Sequence, residues 1–208
     1  MKTNLDAVVS SFKNKSKKHV IGVDVDNTLF HIPVLEYVNS KYKKEDGSKY
    51  THDDVTSWSF SNFPDYIRQD ILEQFLNPNF MCTIKPDWGT YGKLRDWHSE
   101  GIRLFAVTRR ASILGQHTWA QINKEFPNVF EDMFLVRPNE SKASVLKYLG
   151  CSVHIDDWDV EDSIKAGIQT WLIANEKTQY NMHLRTNTLL NQALELKYVN
   201  LDRDKWLG

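Results

Sequence analysis

Cys82 and Cys151 are the only thiols in the 208-residue chain, and they lie far apart with no Cys-x-x-Cys spacing. That excludes a disulfide framework and a cysteine-built zinc site, and it predicts two buried, reduced thiols. Long apolar runs are also missing: nothing approaches the roughly 20 residues that span a bilayer. The start from Met1 to Lys18 is polar and lacks the apolar stretch of a secretory signal, so the expectation is a cytoplasmic protein with no membrane partner. An excess of either charge is absent as well. Lysine plus arginine count 26 against 27 acidic residues, a net charge of −1, which gives no long-range field for nucleic acid. Lys13, Lys15, Lys17, Lys18 and His19 form a local basic cluster, read as a solvated helix end. Internal repeats and low-complexity tracts are lacking too, and the polar stretch Lys43 to Asp54, with Gly47, reads as a loop.

What is present is enough apolar material, 41% of residues with 12% aromatic, for one substantial core and a modest insertion. From His19 the chain reads HVIGVDVD, a short β-branched run of the kind buried on both faces of a parallel sheet. Comparable strands are predicted at Ile102 to Val107, Met133 to Val136, Ser152 to Ile155 and Thr170 to Ile173, with helix-like segments between them. Asp87 can cap a helix running to Gly101, Ser112 can start one ending near Pro127, and Ser141 precedes Lys142 to Leu149, closed by Gly150. This alternation predicts a doubly wound parallel α/β sheet. Helix-like segments at Pro33 to Tyr42 and Pro64 to Leu76 fall between the first strand and the Asp87 helix and read as a small helical cap inserted after that strand. The expected division is a core of residues 1–30 and 87–208 and a cap of residues 31–86. Leu189 to Leu196 reads as a closing helix.

In such a sheet, ligands bind beyond the carboxyl ends of the strands, so reactive residues that follow different strands should converge. Four positions qualify. Asp24 and Asp26 follow the first strand: one carboxylate can attack a phosphoryl group, the other can give and take protons, and a hard cation such as Mg²⁺ is needed to let two anions meet. Thr108 follows the second strand, where its hydroxyl can donate to a phosphate oxygen. Lys142, with Arg137 nearby, opens a helix and adds an ammonium to its exposed amides. Asp156 and Asp157 follow a later strand, and adjacent acids repel unless a cation sits between them. Each residue alone has an ordinary explanation as a cap, turn or surface group. The four together, in this order, are a strong signal.

The order Asp-x-Asp-x-Thr, Thr, Lys, Asp-Asp resembles the haloacid dehalogenase (HAD) superfamily of phosphatases from Val20 to about Leu172. The resemblance implies Asp24 as nucleophile and metal ligand, Asp26 as acid/base and ligand through its backbone carbonyl, and Thr108 and Lys142 as phosphate holders. Asp157 would complete an Mg²⁺ site, Asp156 competes for that place, and Asp162 would hold metal-bound water or cap a helix. Asn27 stands where many members have Gly, a substitution that a left-handed turn tolerates. Within the superfamily, the insertion and the segment Phe75-Leu76-Asn77-Pro78-Asn79-Phe80 through Ile84-Lys85-Pro86 resemble the 5'(3')-deoxyribonucleotidases. That implies a nucleoside monophosphate as substrate, its base stacked on Trp58, Phe60, Phe63, Phe75 or Phe80. Arg109, followed by Arg110, departs from that family and adds charge suited to tighter phosphate binding, a second phosphate or a nucleic-acid end. The alternatives are a phosphatase for a sugar phosphate or a nucleic-acid 3'-phosphate and, from another class, a phosphate or nucleotide sensor without turnover.

Overall fold

The structure, a computed structural model, describes residues 19–57, 59–86, 88–173 and 197–199. Trp58, Asp87, the basic cluster before His19 and the expected closing helix lie outside them. Six strands form one sheet in the order β3-β2-β1-β4-β5-β6: β1 (Val20–Val23), β2 (Arg103–Thr108), β3 (Asp132–Leu135), β4 (Val153–Asp156), β5 (Gln169–Ile173) and β6 (Lys197–Val199). Every pairing is parallel. Strand order reverses between β1 and β4, so a crevice opens at their carboxyl ends.

Period-two geometry divides β2 between two cores. Leu104 and Ala106 join Ile21, Leu94, Trp97, Ile122 and Trp171 on one face, while Phe105 and Val107 join Val20 and Leu146 on the other. Helices cover both faces: α4 (Trp88–Ser99), α5 (Gly115–Glu125), α6 (Lys142–Tyr148) and α7 (Glu161–Lys165) follow α1 (Val34–Lys41), α2 (Asp65–Gln74) and α3 (Pro78–Met81). Ser141 caps α6 through its Oγ, which accepts from the Ala143 amide at 3.2 Å, and Gly150 just past its end has φ +70°. Ser112 begins a 3-10 turn, Ser112–Leu114, and α5 proper starts at Gly115. The stretch read as loop contains another such turn, His52–Asp54, fixed by a capping box between Thr51 and Asp54.

Between β1 and α4, α1 to α3 gather around a separate apolar cluster of Ile32, Val38, Phe60, Phe63, Ile67 and Met81. Both cysteines are free, and Cys151 is buried. Among the described residues no helix is long and apolar enough to cross a membrane.

Gly22 sets how closely α6 lies on the sheet. A Cβ there would overlap Leu146 Cδ2, so the fully buried Leu146 side chain or α6 itself would have to shift. Gly22→Ala is therefore expected to lower stability by about 1–3 kcal/mol through overpacking, read as a lower denaturation midpoint at unchanged m-value. A midpoint equal to wild type would show that the Leu146 side chain or α6 yields at little cost.

Candidate active site

The chain leaves β1 through Asp24, whose amide donates to the Ile155 carbonyl of the neighbouring β4 at 2.8 Å. This bond carries the parallel pairing one residue past the strand and sets Asp24 beside Asp156. The turn that follows runs through Asn27 at φ +53°, a left-handed conformation that asparagine adopts more readily than most residues. The Asn27 Oδ1 also accepts from the Ile32 amide at 2.9 Å, a bond glycine could not make.

Lys142 enters from the first turn of α6, 118 positions away in sequence, and its Nζ donates to Asp24 Oδ1 at 2.5 Å. It also donates to Asp156 Oδ2 at 2.7 Å. All three side chains are almost completely buried. Asp157, buried too, completes a group with Asp24 and Asp156 in which one ligand oxygen from each lies within 4.8 Å of the others. Three buried carboxylates thus lie together, two of them bonded to the Lys142 ammonium. Burial pushes the Asp24 carboxyl up to about 7 against the pull of Lys142, with the charges of Asp156 and Asp26 adding to the rise. Burial acts the same way on Asp156, but Lys142 and His154 outweigh it and hold that carboxyl well below its usual range. Lys142 is held firmly protonated, since Asp156 and Asp24 outweigh its own burial. The donor set is all oxygen and buried, which fits a hard divalent cation such as Mg²⁺.

Asp156 is fixed on both oxygens. Oδ1 accepts from the amides of Trp158 and Asp159 at 2.7 Å each, and His154 Nε2 lies 3.2 Å from Oδ2. Ser163 Oγ sits 2.9 Å from the other ring nitrogen of that histidine. Asp162 lies exposed in the first turn of α7 and is not part of the buried carboxylate group, and the cap residue of that helix, Val160, makes no side-chain cap bond.

Thr108 ends β2 with its hydroxyl buried in the crevice; its Oγ1 accepts from the Arg110 amide at 3.2 Å, which leaves its own proton to donate. The two arginines that follow part company. Arg109 Nε donates to Asp159 Oδ2 at 2.7 Å, and Nη1 donates to the Arg137 and Pro138 carbonyls at 2.7 and 3.1 Å, so it ties together the loops after β2, β3 and β4. Arg110 turns inward. It is 5% exposed, and its Nε donates to Asp26 Oδ1 at 2.8 Å. The Arg137 side chain points outward to Glu140 at 3.7 Å and takes no part in the crevice.

These residues open on a cleft of about 680 Å³. Asp24, Asp26, Thr108, Lys142, Asp156 and Asp157 form its polar floor, with Arg109 and Asp159 at one side. Ile32, Leu72, Phe75, Leu76 and Met81 form the opposite, apolar wall, and Trp158 lies beside the carboxylates. Of the aromatics read as base contacts, Phe75 reaches the cleft. Phe60 and Phe63 are buried in the cluster formed by α1 to α3, and Phe80 packs edge-on against Tyr37 with ring centroids 5.2 Å apart. Trp158, Asp159 and the inward turn of Arg110 were not anticipated from sequence. The signal was there in part, since Asp159 stands two residues past Asp157.

No family model matches the sequence, and no curated protein matches it. Solved structures do. A protein assigned as a phosphatase from Clostridium acetobutylicum superposes with a TM-score of 0.59 at 14% identity, covering 92% of this chain and 97% of its own. One assigned as a β-phosphoglucomutase from Thermotoga maritima gives 0.57 at 15%, covering 91% and 98%. A HAD family hydrolase from Deinococcus radiodurans R1, solved with bound phosphate and sodium, gives 0.55 at 14%, covering 89% and 100%. Likeness at this identity establishes the fold: the chain has the Rossmann-like α/β architecture of HAD family hydrolases.

Proposed function

We propose that the protein is a phosphomonoester hydrolase working through a phospho-aspartate on Asp24. The observation that carries this reading is the meeting of Asp24, Asp26, Thr108, Lys142, Asp156 and Asp157 on the floor of one cleft at the point where strand order reverses. An Asp24 carboxylate oxygen attacks phosphorus as the bond to the leaving oxygen breaks, and that oxygen takes its electron pair and a proton from Asp26. Asp26, now ionised, takes a proton from the water that cleaves the acyl phosphate. Thr108 and Lys142 hold the equatorial oxygens. Asp24, Asp157 and Asp156, with the Asp26 backbone carbonyl, would hold Mg²⁺, which would supply the positive charge that lets the anions approach. Residues 31–86 act as a cap over a core of residues 1–30 and 87–208.

The substrate on this reading is a small phosphomonoester other than a nucleotide, such as a sugar phosphate, since similar folds carry names such as β-phosphoglucomutase. A nucleoside monophosphate, as for the 5'(3')-deoxyribonucleotidases, is the second reading. It is favoured by Phe75 and Trp158 lining the cleft, where a base could stack. Phosphate release should be measured across sugar phosphates, other small organic phosphates, ribo- and deoxyribonucleoside 5'- and 3'-monophosphates and 3'-phosphorylated oligonucleotides. Silence across the panel would leave a binding protein without turnover. Chelation with EDTA is expected to abolish release and added Mg²⁺ to restore it, because the buried acids otherwise repel the substrate. Undiminished turnover in chelator would refute the metal assignment.

A further inference from the structure

Arg110 is the one buried arginine among the described residues and lies at the edge of the cleft lining beside Asp26, and burying a guanidinium is costly unless it is well paired. Its contacts have an unusual form. Nε donates to Asp26 Oδ1 at 2.8 Å, and Nη2 lies 2.7 Å from the same oxygen, so Oδ2 stays outside the pair. A guanidinium that served only to neutralise a carboxylate would gain most from a fork across both oxygens. Here one oxygen is pinned, and the residue that carries the other lines the cleft.

Arg110 is itself held from three sides. Nη1 donates to Gln121 Oε1 at 2.9 Å, and Gln121 Nε2 donates in turn to the Ile84 carbonyl at 2.8 Å. The guanidinium lies 5.6 Å from the centroid of Phe30, which bridges to Pro86. Its own amide donates to Thr108 Oγ1. Phe30 and Ile84 to Pro86 are the two crossings between the sheet and the α1 to α3 cluster, so one buried cation is braced against both crossings and against Thr108.

We infer that Arg110 is a positioning residue that fixes the Asp26 side chain with Oδ2 presented to the leaving oxygen, Gln121 holding it there. This rests on the proposed phosphatase reading. Proton delivery matters in proportion to how poor the leaving group is: an alkoxide must be protonated as it departs, whereas p-nitrophenolate leaves without help. Arg110→Lys keeps the charge and loses the Nε hydrogen bond that holds Oδ1. It should cut kcat for an alkyl phosphate by roughly 10²-fold while p-nitrophenyl phosphate loses less than about threefold, with KM for both little changed. Should Arg110→Lys fail to fold, Gln121→Met removes the brace without touching the ion pair, and it should lower the alkyl-to-aryl kcat ratio in the same direction by about tenfold. Equal losses on both esters, or none, would overturn the assignment and leave the phosphatase reading intact. A wild type silent on both esters would instead remove the phosphatase reading, and this inference with it.

Discussion

Asp24→Asn is expected to lower phosphate release by roughly 10⁴–10⁶-fold, the scale on which loss of a covalent nucleophile falls. The amide nearly matches the carboxylate in volume and cannot form the acyl phosphate, so the loss belongs to chemistry and not to folding. Stability should move the other way. Burial raises the Asp24 carboxyl to about 7, so in the native state its ionised form is disfavoured relative to the unfolded chain. A carboxyl whose folded value is raised takes stability away as pH climbs from its unfolded range, near 4, toward 7. The metal-free variant, neutral at this position, escapes that loss and should equal or exceed the metal-free wild type above neutral pH. Thermal melts in EDTA at pH 5 and 8 test this, with the gap opening at the higher pH. Turnover within tenfold of wild type would end the nucleophile assignment.

Lys142→Met should be the second most damaging change. The ammonium is 3% exposed and lies within hydrogen-bonding distance of two buried carboxylates. Without it Asp24 and Asp156 lose the ammonium that bonds both of them, and removing one partner of a buried pair typically costs about 3–5 kcal/mol. If Lys142 holds the transferring phosphoryl group as proposed, its loss should also lower kcat by roughly 10²–10³-fold. The two effects separate on adding Mg²⁺, which supplies charge to the same carboxylates. The melting temperature of the variant should therefore rise more with the ion than that of wild type, while kcat stays low. A variant as stable as wild type in EDTA would mean that the carboxylates do not depend on Lys142.

The elements of the sheet were legible because buried parallel strands leave β-branched runs, and β1, β2, β4 and β5 fall within a residue or two of where those runs lie. The floor of the cleft was legible for a related reason: reactive residues just beyond several strand ends must meet if the sheet is parallel. Side-chain direction was not. Arg109 and Arg110 are neighbours of one residue type, yet the first ties loops at the cleft side and the second is buried against Asp26. Nothing in the pair of letters distinguishes them, because the strand has ended and its period no longer applies. The same holds for the aromatics. Phe60, Phe63 and Phe75 belong to one composition, and only packing of α1 to α3 decides that the first two fill their own cluster while the third reaches the cleft. Asp156 and Asp157 were left in competition; both lie in the buried carboxylate group, and Asp156 is further distinguished by its bonds to Lys142 and two backbone amides.

The place of β1 between β2 and β4 also governs when the site can come into being during synthesis. A nascent chain carries Asp24 early, and Thr108 and Lys142 follow, but the Asp24 amide finds its partner only when Ile155 has been made. Until then β1 has at most one neighbour, its other edge is open, and no cation pocket exists, because Asp156 and Asp157 have yet to be added. Long-range pairing of this kind is paid late and closes slowly. A ribosome stalled before residue 156 would therefore release a fragment holding Asp24, Thr108 and Lys142 without the carboxylates that complete the cluster, and with a hydrophobic strand edge ready to pair with another copy.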